Sequence, residues 1–405
     1  MTSEAARTLL SRLAAEGDRA RFVGGCVRDT LAEREVGDID VATEAPPDRV
    51  VALLDGRGIR VIPTGLVHGT VTALVDGAVY EITTLRRDVE TDGRRATVAF
   101  TDDWPGDAAR RDFTINALYL DADGTLYDPT GGLEDLSAGR VRFVGAPRER
   151  LEEDVLRLLR FFRFHAGYGK GAPDAAAMAA CRAFAPRLTG LSGERVWSEL
   201  RRILSAPDPG KALRPMEETD SLRLAVPGAE ALDRLDRTVR IEVELGLGPS
   251  AIRRLAAVLV PGASDIDGLV RRLRLSRTES GRLEKAVRAS ADLIASPDPS
   301  SIGERLYRWG ETAFGDALAV AWADRRSMGG DEAAFQGHAR ALAAWSRPIF
   351  PVGGRDAIAL GAEPGPAIGR ALEEVETWWI GAGFEPGRDA CLARLAAALQ
   401  PPPES

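Results

Sequence analysis

The chain has 405 residues, 44% of them apolar and 28% charged, which suits a globular protein of about two to four domains and excludes whole-chain disorder. No apolar run approaches the ~18–20 residues that a membrane-spanning helix needs, and the N-terminal segment carries Glu4 and Glu16 where a signal peptide would be uninterruptedly apolar. Net charge is −8 and 50 of the 53 basic residues are arginine, so a polyanion site has to be local, built from a residue suited to bidentate phosphate contacts. Cys26, Cys181 and Cys391 are too scattered for a disulfide framework or a cysteine zinc site, and a soluble protein of the reducing cytoplasm is expected.

In chain order, Thr2–Glu16 predicts a helix with Ala6, Leu9, Leu10 and Leu13 on its buried face. A strand over Ala20–Val23 runs into Gly24-Gly25, and a second covers Ile39–Thr43. A helix follows from about Asp48 to Leu54, then strands at Ile59–Ile62, Gly69–Val75 and Ala78–Thr84. Arg86–Arg95, polar and containing Gly93, reads as a mobile loop. From Glu149 onward the pattern is helical, with breaks near Gly167–Pro173, Ala206–Gly210, Pro227–Gly228, Leu247–Ser250, Pro297–Ser300 and Pro348–Gly354, and a frayed tail PPPES. The expected architecture is an α+β head followed by an all-helical remainder.

Three constellations carry chemistry. In the first, RFVGGCVRDTLAEREVGDID, the glycines Gly24 and Gly25 let backbone N–H groups approach a phosphate, with Arg28 nearby. Asp38 and Asp40, two apart on a strand, point to one face, and adjacent carboxylates call for a cation such as magnesium with nucleotide phosphates. Glu81, the one acid in the strand VYEIT, is a third candidate; an outward-facing strand charge explains it equally well. The second constellation is RRDFTINA, where Arg110 and Arg111 suit a triphosphate or ribose, with surface salt bridging as the alternative.

The third is EEDVLRLLRFFRF. One amphipathic helix would bury Leu151, Val155, Leu158, Leu159 and Phe162 and spread Asp154, Arg157, Arg160 and Arg163 over its other side, Asp154 and Arg157 pairing at i,i+3. Phe164 falls among those arginines, where a solvated face needs no aromatic.

These segments, with DPTGGLEDL (Asp128–Leu136) and GERVWSEL (Gly193–Leu200), resemble the class II tRNA nucleotidyltransferase and poly(A) polymerase family in motif content and order over residues 18–204. Val155 stands where the family commonly has proline. The resemblance implies a polymerase-β-like nucleotidyltransferase head (1–138), a helical neck with a nucleotide-base template (139–205), and a helical body and tail that bind tRNA (206–405). It also implies that Asp38 and Asp40 hold magnesium, that Gly25, Arg28 and Arg111 contact the nucleotide, and that Asp154 and Arg157 read the base, Arg160 and Arg163 extending the site. A carboxylate accepts and a guanidinium donates, so that pair matches the amino donor and ring-nitrogen acceptor of cytosine and adenine and mispairs with guanine and uracil.

The expected reaction is CCA addition to tRNA from CTP and ATP. Poly(A) polymerase and CC-only or A-only enzymes are the alternatives, and a non-catalytic tRNA-binding relative is a different class. The stretch Pro63–Thr72 lacks the Gly-Arg-Arg-Phe-like sequence of poly(A) polymerases, and the uninterrupted Arg86–Val98 segment favours full CCA addition. His68, His165 and His338 are not followed by Asp, which excludes an appended His-Asp phosphohydrolase.

Overall fold

The computed structural model describes residues 4–56, 58–66, 69–92, 95–259, 265–298, 301–327 and 332–400; His68, Gly93, Pro299, Ser300 and the PPPES tail lie outside them. The chain divides into two compact units, Met1–Pro227 with Arg271–Arg274, and Gly228–Val270 with Leu275–Ser405.

The first unit opens with α1 (Glu4–Leu13), β1 (Ala20–Val23), α2 (Gly25–Leu31), β2 (Ile39–Thr43) and α3 (Pro47–Leu54). Next come β3 (Arg60–Gly65), β4 (Thr70–Val75), β5 (Ala78–Thr84), β6 (Arg86–Asp92), β7 (Arg95–Phe100), α4 (Trp104–Ala109), β8 (Tyr119–Leu120) and β9 (Leu126–Tyr127). Seven strands form one sheet in the order β3-β4-β5-β2-β1-β8-β9, antiparallel except where β2 lies parallel to β5. Period-two alternation splits each strand between two faces. Phe22, Val41, Tyr80 and Ile82 enter a core with Leu9, Leu10 and Leu13 of α1 and Val50 and Leu54 of α3. Val23 and Ala42 belong to a separate cluster with Trp104, Ala108 and Tyr119, and Asp40 and Glu81 share their parity.

One expectation is corrected. Arg86–Asp92 is a strand, not a loop: β6 and β7 pair antiparallel from Arg86↔Phe100 to Asp92↔Arg95 as a two-stranded ribbon, with Gly93 and Arg94 outside the described residues. Charged residues throughout this stretch conceal the alternation that marks a half-buried strand. Pairing of the two backbones satisfies the polar groups that face each other.

The unit continues with α5 (Gly132–Ala138), α6 (Pro147–Glu153), α7 (Arg157–Tyr168), α8 (Ala175–Phe184), α9 (Gly193–Leu204), α10 (Gly210–Glu218) and α11 (Ser221–Ala225). Leu158, Leu159, Phe161 and Phe162 of α7 are buried, and α7 packs on α9 and α10. The second expectation to fail is the single helix over 151–164. Asp154 is extended (φ −154°) and separates α6 from α7, so the Asp154–Arg157 spacing is not i,i+3 on a common helix.

In the second unit come α12 (Leu232–Glu244) and α13 (Ala251–Val258); α14 (Ile266–Leu273) is divided between the units; α15 (Arg277–Ala295), α16 (Ile302–Trp309), α17 (Glu311–Ser327), α18 (Ala333–Ala343), α19 (Gly354–Ala359), α20 (Pro366–Gly381) and α21 (Arg388–Ala398) complete the second unit. A capping box starts α15, Ser276 accepting from the Glu279 N–H while Glu279 accepts from the Ser276 N–H. Helix α17 is apolar nearly all round, with Phe314, Ala317, Leu318, Ala319, Ala321 and Trp322 buried, as a central helix must be.

Candidate active site

A cleft of about 500 Å3 opens in the first unit where β1 ends, β2 begins and α7 passes. Of the sequence-predicted residues, Gly24, Gly25, Arg28, Asp38, Asp40, Arg111, Arg160 and Arg163 line it. Arg110, Asp154, Arg157 and Glu81 are outside its lining.

Gly24 has φ +72°, a conformation that glycine adopts without strain, and its N–H donates to the Leu118 carbonyl. A Cβ there would stand 3.5 Å from Arg111 Nη1, so the bare backbone and the Arg111 guanidinium are close neighbours. Asp38 lies just before β2 and is exposed, whereas Asp40, on β2, is half-buried. Parallel pairing sets Glu81 of β5 opposite Asp40 and on the same face.

Burial, followed by the charges of Glu81 and Asp38, pushes the Asp40 carboxyl up to about 6, against the opposing pull of Arg111. A carboxylate crowded by like charges binds a cation readily. Among the described residues no three Asp, Glu, His or Cys side chains converge to hold a metal alone. That donor set, two hard oxygens with further ligands left to phosphate and water, is the kind magnesium accepts.

Each arginine of the cleft is held by an acid. Arg111 donates from Nε to the Tyr119 hydroxyl (3.1 Å) and from Nη2 to Asp107 (3.0 Å), while Tyr119 donates to the same Asp107 oxygen (2.8 Å). Burial acts to raise the Asp107 carboxyl, but Arg111 and Arg110 outweigh it and hold it below the usual carboxylate range. Arg110 is engaged with the other oxygen of Asp107 (2.8 and 2.5 Å).

Arg28, 8% exposed, chelates Asp29 with Nε and Nη2 (both 3.0 Å) and reaches Asn116 Oδ1 with Nη1 (2.5 Å). Arg160 donates to Asp112 (2.7 and 2.6 Å) and Arg163 to Glu199 (2.6 Å). Asp112 also accepts from Asn116 (3.0 Å) and the Phe113 N–H (2.9 Å).

Asp29, Asp112, Asn116, Phe164 and Arg202 also line the cleft and were not among the site residues expected. For Asp112 and Asn116 a signal existed, since both stand inside RRDFTINA at i,i+4. Glu199 and Arg202 belong to α9, and no local pattern ties them to residues near 160.

The expected base-reading pair is differently engaged. Asp154 accepts from Arg195 Nη2 (2.8 Å) and from the Leu156 N–H (3.1 Å). Arg157 donates to Glu153 (2.5 Å), the Arg150 carbonyl (3.3 Å) and the Arg110 carbonyl (3.3 Å), one residue from the cleft-lining Arg111.

Residues 20–142 match a family model described as the poly A polymerase head domain, and residues 172–232 one described as a probable RNA and SrmB-binding site of polymerase A. The chain is 34% identical to the human mitochondrial CCA tRNA nucleotidyltransferase 1 over 403 residues, 97% of this chain and 90% of that one. It is 35% identical to the CCA-adding enzyme of Limosilactobacillus fermentum over 91% of this chain and 90% of that one. The crystal structure of the Bacillus stearothermophilus CCA-adding enzyme in complex with CTP superposes with a TM-score of 0.75 at 28% identity, covering 98% of this chain and 97% of that one. The Thermotoga maritima CCA-adding enzyme complexed with tRNA shares the fold, with a TM-score of 0.64 at 19% identity over 97% and 94% of the two chains.

Proposed function

The chain belongs to the CCA-adding tRNA nucleotidyltransferase family, and we propose that the cleft around Asp38 and Asp40 is where it transfers nucleotides. It is a nucleotidyltransferase that adds CCA to the 3′ end of tRNA from CTP and ATP, with release of pyrophosphate. One observation carries the assignment of the site: two carboxylates, one of them crowded, share a cleft with Arg28, Arg111, Arg160 and Arg163. A carboxylate pair amid arginines suits a triphosphate bound through its charge and a cation between the acids.

In the reaction the tRNA 3′-hydroxyl attacks the α-phosphorus, and the bond to the β,γ-pyrophosphate breaks. Asp38 and Asp40 would hold magnesium, which when bound supplies charge neutralisation on the triphosphate and activation of the hydroxyl. Gly24 and Gly25 leave the backbone open to phosphate oxygens. Arg28, Arg160 and Arg163 hold the triphosphate charge and favour pyrophosphate departure, and Arg111 orients the sugar-phosphate region.

Asp154 and Arg157 are the proposed base readers. Asp154 can accept from a base amino group while still holding Arg195, because a carboxylate offers about four lone-pair sites. The bonds Arg157 makes to Glu153, Arg150 and Arg110 run from Nη1 and Nη2 and use three of its five N–H groups, so it can donate to the ring nitrogen while keeping them. Segments 1–138, 139–205 and 206–405 are proposed as the transfer head, the base-reading neck and the tRNA-binding remainder. Among the described residues no helix is long and apolar enough to cross a membrane. The three cysteines are buried and unpaired, in keeping with the cytoplasmic placement we propose.

Single-turnover incorporation of each of the four nucleotides tests the base readers. Asp154→Ala and Arg157→Ala should each lose roughly tenfold to a hundredfold in preference for C and A over U and G, since each removes a hydrogen bond involving a charged group. Unchanged preference in both variants would sink the assignment, whatever the loss of rate.

A further inference from the structure

Phe164 is the residue that the amphipathic pattern leaves unexplained, an aromatic among arginines. It is 4% exposed, yet it lines the cleft. Three guanidinium carbons stand over the ring: Arg163 at 4.2 Å, Arg28 at 5.0 Å and Arg160 at 5.3 Å from its centroid. Arg160 and Arg163 come from α7, but Arg28 comes from α2, far earlier in the chain.

The ring is itself fixed. Phe113 meets it edge-on at 5.3 Å and 62°, and Tyr168 lies at 6.1 Å, tilted by 38°. Tyr168 in turn lies under Arg28 at 4.4 Å and Arg34 at 4.2 Å, so cations and rings alternate from Arg34 through Tyr168 and Arg28 to Phe164 and Arg163.

Three like charges around one small volume repel one another. Asp29 pairs with Arg28, Asp112 with Arg160, and Glu199 with both Arg163 (2.6 Å) and Arg160 (3.5 Å). A further acid at the position of the ring would compete with phosphate for these cations. A ring face attracts guanidinium through its quadrupole without adding negative charge or hydrogen-bond acceptors. The N–H groups not used by the acids therefore stay available to an anion.

We infer that Phe164 is a positioning residue for triphosphate capture, a neutral ring that gathers Arg28, Arg160 and Arg163 before the nucleotide arrives. The inference rests on the proposal that this cleft binds a nucleoside triphosphate. It concerns the charged part of the substrate alone, so CTP, ATP and the product pyrophosphate should respond together and base choice should not change.

The test uses the full-length enzyme with tRNA ending before C and before A. Phe164→Leu, which keeps an apolar side chain of similar size, should raise KM for CTP and ATP and the inhibition constant of pyrophosphate by a common factor of about tenfold. Its kcat and its preference among the four nucleotides should be retained, as expected for loss of uniform binding. A second series places mono-, di- and trifluorinated phenylalanine at position 164, weakening the quadrupole at nearly constant shape. KM and the pyrophosphate inhibition constant should climb stepwise along that series. A flat fluorine series, with or without a defect in Phe164→Leu, would overturn the inference and leave Phe164 as packing. Failure of the wild-type enzyme to incorporate either CTP or ATP would instead remove the proposal on which it rests, and the inference with it.

Discussion

Asp40 shows how a site can be paid for in stability. Its folded carboxyl is pushed up to about 6 from an ordinary 3.8, by burial first and by Glu81 next. For an acid whose proton affinity is raised by folding, the native state keeps its proton where the unfolded chain has released it. Stability therefore declines as pH rises from about 4 through 6 and stays lower above. Asp40→Asn should accordingly abolish nucleotide addition yet stabilise the metal-free protein at pH 7.5, by about 1 kcal/mol after allowance for screening at a half-exposed group. Thermal denaturation in a chelator checks this, and a lower midpoint for the variant would contradict it. The Asp38-x-Asp40 spacing is visible in the sequence because strand alternation is local. The Asp154–Arg195 contact is not, because Arg195 is 41 residues away and the backbone turns out of the helix at Asp154.

Among the elements, α5 shows that a motif found in sequence can serve structure. In DPTGGLEDL, Asp128 accepts from the N–H groups of Thr130 (3.3 Å), Gly132 (2.9 Å) and Leu133 (2.9 Å), fixing the turn into the helix. A Cβ on Gly132 would fall 2.1 Å from the Thr114 carbonyl oxygen, so α5 docks on the RRDFTINA segment by way of that glycine. Asp135, fully buried, accepts from Thr114 Oγ1 (2.6 Å), Arg140 Nε (2.9 Å) and Arg142 Nε (2.8 Å). Asp135→Ala should cost about 2–3 kcal/mol in urea unfolding, the loss of charge-assisted hydrogen bonds. Its KM for CTP should stay within about twofold of wild type at temperatures where it is folded, because none of these groups lines the cleft. A large rise in KM without loss of stability would assign the motif to the substrate instead. Strands β1, β2, β4 and β5 are readable from alternating apolar residues, whereas β6 is hidden by its charge.

On the scale of the whole molecule, the helical half is readable as helical but its internal charges are not. Arg253 bridges Asp316 (2.9 Å) and Glu242 (2.8 Å), Arg254 bonds Glu242 (2.7 Å), and Arg282 bonds Asp316 (2.6 Å), with all but Arg282 buried. These residues come from α12, α13, α15 and α17, and only the tertiary fold brings them together. Asp316→Ala would leave Arg253 with reduced compensation in the interior and should destabilise the protein by about 3–5 kcal/mol. Chemical denaturation measures it, and a change under about 1 kcal/mol would mean that water solvates the network. Net charge, at −8, gives no sign of an RNA substrate. The positive groups that matter are a few arginines held locally by acidic partners.

The central claim is that one cleft around Asp38 and Asp40 adds C, C and A in order and takes neither U nor G. Its most direct test supplies magnesium, one labelled nucleotide at a time, and tRNA ending before the first C, before the second C or before the terminal A. Label should enter the first two substrates from CTP alone and the third from ATP alone, and Asp38→Ala or Asp40→Ala should incorporate nothing while still binding tRNA. Runs of A on every substrate, equal use of all four nucleotides, or near-wild-type addition by either aspartate variant would contradict it.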